Sequence, residues 1–74
     1  MILITGSSGF IGSNFVNFFI KNKVKFYGLD KKESHYINFK NFSKIDLIDK
    51  KRLEILFKKI KPKVVIHLAA DSGL

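Results

Sequence analysis

Gly6, Gly9 and Gly12 recur every third residue in Thr5-Gly6-Ser7-Ser8-Gly9-Phe10-Ile11-Gly12, directly after the apolar run Ile2-Leu3-Ile4. Such a spacing suits a phosphate. A glycine at a strand end permits a tight turn, a second lets the backbone lie against a pyrophosphate, and a third lets the following helix pack closely. Gly6, Gly9 and Gly12 stand in that order. The start of a helix adds unpaired N–H groups and a partial positive charge, both of which favour an anion. The nearest rival is a Walker A loop, which ends in Gly-Lys-Ser/Thr. Here the chain reads Gly12-Ser13-Asn14, and without a lysine to reach the β- and γ-phosphates a nucleotide triphosphatase is not expected.

Asp30 is the next residue with chemical potential, about 18 positions beyond Gly12. Dinucleotide folds place an acid about 20 residues on, against the ribose hydroxyls. A carboxylate there accepts two hydrogen bonds from a diol and repels a 2′-phosphate, which favours NAD over NADP. Lys31 and Lys32 follow at once and attract a phosphate, which softens that preference. His35 stands in a polar loop with no metal partner at a useful spacing, and His67, inside an apolar run, reads as a packed strand residue rather than a catalyst.

The elements that must position these residues follow from periodicity. Ile2 onward is a short strand buried on both faces. Ile11, Phe15, Phe18 and Phe19 fall on one helical face over about Gly9 to Asn22, widened by Phe10, Val16 and Ile20, which predicts a mostly buried helix. Val24–Leu29 reads as a second strand and Lys44–Leu47 as a third. Leu53, Leu56, Phe57 and Ile60 mark a second amphipathic helix over about Lys50 to Ile60, with Asp49 as N-cap, Ile48 and Leu53 spaced for a hydrophobic staple, and Pro62 ending it. Val64–Ala70 is a continuous apolar run, as a buried parallel strand requires. Residues 31–43 show no sustained period. This order of elements predicts an α/β fold, a Rossmann-like half with a parallel sheet in the order 3-2-1-4.

The totals narrow the class. A chain of 74 residues is one small domain or part of a larger one, able to bury only about 60% of its unfolded surface. It has no cysteine, so neither disulfides nor a structural zinc site supports the small core. No apolar run reaches the roughly 18–20 residues of a membrane span, and the N-terminus lacks the pattern of a secretory signal; a cytoplasmic location is expected. The formal charge is +8, with 14 basic residues, which raises a nucleic-acid-binding alternative. All but Arg52 are lysines scattered over loops and the second helix; the general field attracts an anionic dinucleotide equally well.

Thr5-Gly6-x-x-Gly9-Phe10-Ile11-Gly12, together with Val65-Ile66-His67-Leu68-Ala69-Ala70, resembles the extended short-chain dehydrogenase/reductase superfamily, the NAD-dependent sugar-nucleotide epimerases and dehydratases. The resemblance spans essentially the whole chain. It implies that Gly6, Ser8, Gly9, Phe10, Ile11 and Gly12 form the dinucleotide loop and that Asp30 and Lys31 meet the ribose. It also places Asp46 and Leu47 at the adenine, with Leu68, Ala69 and Ala70 beneath the cofactor. The family's catalytic Tyr-x-x-x-Lys pair lies on a long helix past the fourth strand; Tyr36 and Lys40 match only its letters. Residues 1–74 are therefore expected to be an N-terminal NAD-binding portion without catalytic residues, and a nucleotide-sugar substrate is expected only with a downstream half. A stand-alone dinucleotide-binding or sensor module is the alternative. The fourth strand, at the sheet edge and free of charge, is expected to be covered either in a homodimer or by a downstream segment.

Overall fold

The computed structural model describes residues 1–34 and 39–69, which form β1 (Ile2–Thr5), α1 (Phe10–Lys21), β2 (Phe26–Asp30), β3 (Phe42–Lys44), α2 (Lys50–Ile60) and β4 (Val64–His67). The strands make one parallel sheet in the order β3-β2-β1-β4, the Rossmann-like half expected from the sequence. β1 is central: Ile2 pairs with Phe26 on one side and Val64 on the other, and Thr5 likewise with Leu29 and His67. Side chains alternate across a strand, so Leu3 packs with Leu29, Ile45 and Leu56 on the face covered by α2. Ile4 packs with Val16, Phe19 and Phe26 on the face covered by α1.

The buried face of α1 differs from the expected one. Gly12, Ser13, Val16 and Phe19 are buried, whereas Phe10, Ile11, Phe15, Phe18 and Ile20 are exposed, Phe10 to 70%. Close approach at Gly12 sets the helix rotation. With 3.6 residues per turn, Val16 and Phe19 fall within about 40° of Gly12 while Ile11 and Phe18 turn some 100° away. The apolar periodicity gave the helix correctly and its orientation wrongly, because a glycine carries no weight in a hydrophobic count.

Three strand boundaries also shift. Lys23, at φ 55, turns the chain out of α1, and the Val24 N–H still bonds the Phe19 carbonyl at 2.9 Å, so β2 begins at Phe26. β3 is Phe42–Lys44 rather than Lys44–Leu47. Ile45 continues its pairing through an N–H bond to the Asp30 carbonyl at 2.9 Å, and Asp46 then turns the chain by accepting the Ile48 N–H at 3.2 Å. β4 ends at His67, with one further ladder bond from the Leu68 N–H to the Thr5 carbonyl at 3.0 Å.

α2 has the predicted bounds, and the Asp49 carboxylate caps it by accepting the Arg52 N–H at 3.2 Å. The staple does not form, since Ile48 is 84% exposed, and Phe57 is also exposed. Lys61, at φ 45, closes the helix before Pro62. On the α1 face a run of ring contacts links Phe15, Phe19, Phe26, Phe39 and Phe42 at centroid separations of 5.3–6.1 Å. Phe39 covers Gly28 so closely that a Cβ there would stand 2.8 Å from the ring. Among the described residues no helix is long and apolar enough to cross a membrane.

Leu56 is the buried residue of α2, and Ile55 beside it is exposed. Leu56→Ala is expected to lower unfolding free energy by about 2–5 kcal/mol, and Ile55→Ala by no more than about 0.5 kcal/mol, measured by urea denaturation.

Candidate functional site

The site starts from one carbonyl. The N–H groups of Gly6 and Ser7 both donate to the Leu29 oxygen, at 2.9 and 3.3 Å, and the fully buried Ser7 hydroxyl donates to it at 3.4 Å. The turn that leaves β1 is thereby fixed to the end of β2. Gly6 holds φ +74, and a Cβ on it would lie 2.6 Å from the Ala69 nitrogen. At Gly12 a Cβ would lie 2.1 Å from the Gly6 oxygen and 2.8 Å from the Ser7 Cα, so the close approach is of helix to turn. The Ser13 hydroxyl adds a bond to the Ser7 carbonyl at 3.4 Å.

Gly9 differs from both. Its backbone is extended at φ −76, and a Cβ would meet only the Gly6 oxygen at 3.5 Å, an ordinary contact. The protein's own packing requires glycine at 6 and 12 and leaves room for a side chain at 9. Gly9 caps α1 without a side-chain hydrogen bond, and no acidic residue sits in the first turn, so no side chain of the helix itself offsets the positive end of its dipole.

Asp30 reaches back from β2 to this loop. One carboxylate oxygen accepts the Ser8 N–H at 3.0 Å and the other the Lys32 N–H at 3.1 Å, while the Ser8 hydroxyl donates to the Lys32 carbonyl at 2.6 Å. Each oxygen of an ionised carboxylate has about two acceptor positions, so both keep capacity for a ligand hydroxyl. Across β1, the Thr5 hydroxyl is hydrogen-bonded to His67 Nδ1 and accepts the Ala69 N–H at 3.4 Å.

Gly6, Gly9, Asp30, His67 and Ala69 border a cavity of about 650 Å³ at the carboxyl ends of the strands, a size typical of small-ligand sites. Gly6 and Gly9 supply the loop wall, Leu29, Asp30 and Lys31 the end of β2, Ile45–Ile48 the segment after β3, and His67–Ala69 the end of β4. The structure thus brings together the sequence-predicted Gly6, Gly9, Asp30, Lys31, Asp46, Leu47, Leu68 and Ala69. Ser8, Phe10, Ile11 and Gly12 are not in its lining: Ser8 secures Asp30, Gly12 seats the helix, and Phe10 and Ile11 stand exposed at its start. Ala70, His35 and Tyr36 lie outside the described residues.

Sequence reasoning passed over Ser7 and Thr5 and read His67 as a packed strand residue, whereas His67 is exposed and lines the cavity. Only the placement of Ser7 between two glycines and of Thr5 at the strand end could have flagged them. Among the described residues no group of His, Asp and Glu side chains is placed to hold a metal ion.

Residues 2–74 match the NAD dependent epimerase/dehydratase family. The chain belongs to this family. Over 96% of its length it is 37% identical to the dTDP-glucose 4,6-dehydratase of Haemophilus influenzae, of which it spans 24%. Among solved structures it is similar to the UDP-glucose 4-epimerase of Thermotoga maritima with UDP-glucose (TM-score 0.83, 33% identity, 96% of this chain and 24% of that one). It is also similar to the Thermus thermophilus UDP-glucose 4-epimerase in complex with NAD (TM-score 0.84, 31% identity, 95% and 24%). The chain therefore spans about a quarter of the length of these epimerase/dehydratase relatives.

The glycine geometry separates two otherwise similar variants. Gly12→Ala is expected to destabilise the fold by more than about 2 kcal/mol, since backbone must shift, and Gly9→Ala by no more than about 1 kcal/mol, the cost of an alanine N-cap, read from urea midpoints of the purified chain.

Proposed function

We propose that this chain is the NAD-binding N-terminal region of a nucleotide-sugar epimerase or dehydratase. Gly9 carries the reading. It is a glycine that the protein's own packing does not require, placed at the start of a helix with no side-chain cap, on the wall of the cavity, and a ligand backbone lying against it supplies the missing reason. The pyrophosphate then rests on Gly9 and the first-turn N–H groups of Phe10, Ile11 and Gly12. Asp30 receives the adenosine ribose hydroxyls on its remaining acceptor positions, with Lys31 beside it. Asp46 and Leu47 border the adenine, with one Asp46 oxygen already holding the Ile48 N–H. Leu68 and Ala69 underlie the second nucleoside.

Bound NAD supplies a hydride acceptor; this chain's residues hold and orient it. The acid–base pair of the family, the sugar substrate and the choice between epimerisation and dehydration belong to the part of the relatives that this chain does not span. The NAD held by a structural neighbour supports the choice of cofactor. NADP is disfavoured, because its 2′-phosphate would meet the Asp30 carboxylate. A homodimer through the outer edge of β4 completes the reading, favoured by the exposed Val64 and Val65; sedimentation velocity should show mass rising with concentration, and a strict monomer removes that partner.

Calorimetry tests the site. The native protein is expected to bind NAD at least tenfold more tightly than NADP, a difference of about 1.4 kcal/mol. Gly9→Ala should lose NAD affinity by tenfold or more with only a small fall in its urea midpoint, and Asp30→Ala should lose both affinity and loop stability. Undiminished NAD binding by Gly9→Ala would refute the assignment.

A further inference from the structure

We propose that His67 is a ligand-reading residue of the cavity, a neutral imidazole whose Nε2–H donates to an oxygen of the dinucleotide beyond its adenosine half, and that Thr5 sets this state. The inference rests on the dinucleotide reading of the cavity and extends it to a residue that the glycine loop and Asp30 do not involve.

The argument starts from the Thr5 hydroxyl. Thr5 is buried, and its oxygen has the Ala69 N–H and His67 Nδ1 as hydrogen-bond partners. An amide N–H only donates, so the hydroxyl oxygen accepts from Ala69. The hydroxyl proton then needs an acceptor, because a buried donor is seldom left unmade. His67 Nδ1 is that acceptor. A neutral imidazole carries one proton, which must sit on Nε2; the tautomer is thus assigned from its partners. The reverse tautomer would direct a second donor at Thr5 and strand the hydroxyl proton.

Position supplies the rest. Thr5 and His67 are register partners on adjacent strands, so their side chains share a face of the sheet. His67 is exposed and lines the cavity, and Nε2 has no hydrogen bond with the described residues. In the sheet order, β4 lies on the far side of β1 from β2 and β3, the strands that carry Asp30 and lead to Asp46. A ligand with its adenosine between Asp30 and Asp46, and its pyrophosphate at Gly9, passes over β1 before it reaches His67. The oxygen read by Nε2–H therefore belongs to the second phosphate of the pyrophosphate or to the ribose that follows it. The same Thr5 hydroxyl holds the Ala69 N–H, whose nitrogen lies 2.6 Å from where a Gly6 Cβ would be, so the donor and the cavity floor share one support.

Two measurements on the purified chain test this. Calorimetry with AMP, ADP-ribose and NAD compares native protein with His67→Phe, whose urea midpoint is read alongside because the Thr5 hydroxyl loses its acceptor. His67→Phe should weaken ADP-ribose and NAD about tenfold and leave AMP within twofold. Equal weakening of all three, or of none, overturns the donor role. In parallel, 15N spectra of the imidazole should show Nδ1 unprotonated and Nε2 protonated in the native chain, with a mixture of tautomers in Thr5→Val. A native Nδ1–H tautomer overturns the role of Thr5. Failure of the native chain to bind any of the three nucleotides removes the dinucleotide reading and the donor role with it, whereas the imidazole spectra report on the Thr5–His67 arrangement with no ligand present.

Discussion

The structure depends on the Leu29 carbonyl and the three donors that converge on it, two backbone N–H groups and the Ser7 hydroxyl. A carbonyl at the end of a strand would otherwise face solvent or wait for a ladder partner; here it fixes the turn that leaves β1. Once that turn is fixed, the Gly6 oxygen and the Ser7 Cα form the surface on which Gly12 must sit. That contact rotates α1, selects Val16 and Phe19 as its core residues, and turns Phe10, Ile11 and Phe18 outward. The helix start is delivered to the cavity by the same chain of contacts.

Asp30 has two duties that sequence spacing alone does not separate. Its distance from Gly12 marks it as the acid for a ribose, and the structure adds that both of its oxygens already hold backbone N–H groups of the segments to be brought together. The carboxylate is oriented before a ligand arrives, which lowers the ordering cost of binding. The arrangement also ties the Ser8 hydroxyl to the Lys32 carbonyl, so the loop and the end of β2 behave as one unit. A residue assigned only to ligand recognition is in this case part of the scaffold as well.

Much of the fold was legible in the chain. The glycine loop, the strand order and the bounds of α2 follow from spacing, continuous apolar runs and a cap, all local signals. The rotation of α1 was not, because a Phe-rich periodicity outweighed one glycine whose contact lies across a turn. The end of β3 was not, because Asp46 diverts the chain through a side-chain bond to Ile48. Gly6, Gly9 and Asp30, announced by glycine and acid spacing, line the cavity, while no spacing marked Thr5 and His67 as partners. Their significance lies in pairing across strands separated by 62 positions, which no local pattern records.

That separation bears on the order of events in folding. β1 sits between β2 and β4 and pairs with both, and parallel neighbours cannot close through a hairpin. One side of β1 can be completed once Phe26–Asp30 exist; the other waits for Val64–His67. During synthesis the central strand therefore passes through a stage with a single paired edge while its second partner is still to be made. Contacts of such long sequence separation are slow to form. The unpaired backbone edge of β1 in that interval puts the growing chain at risk of aggregation.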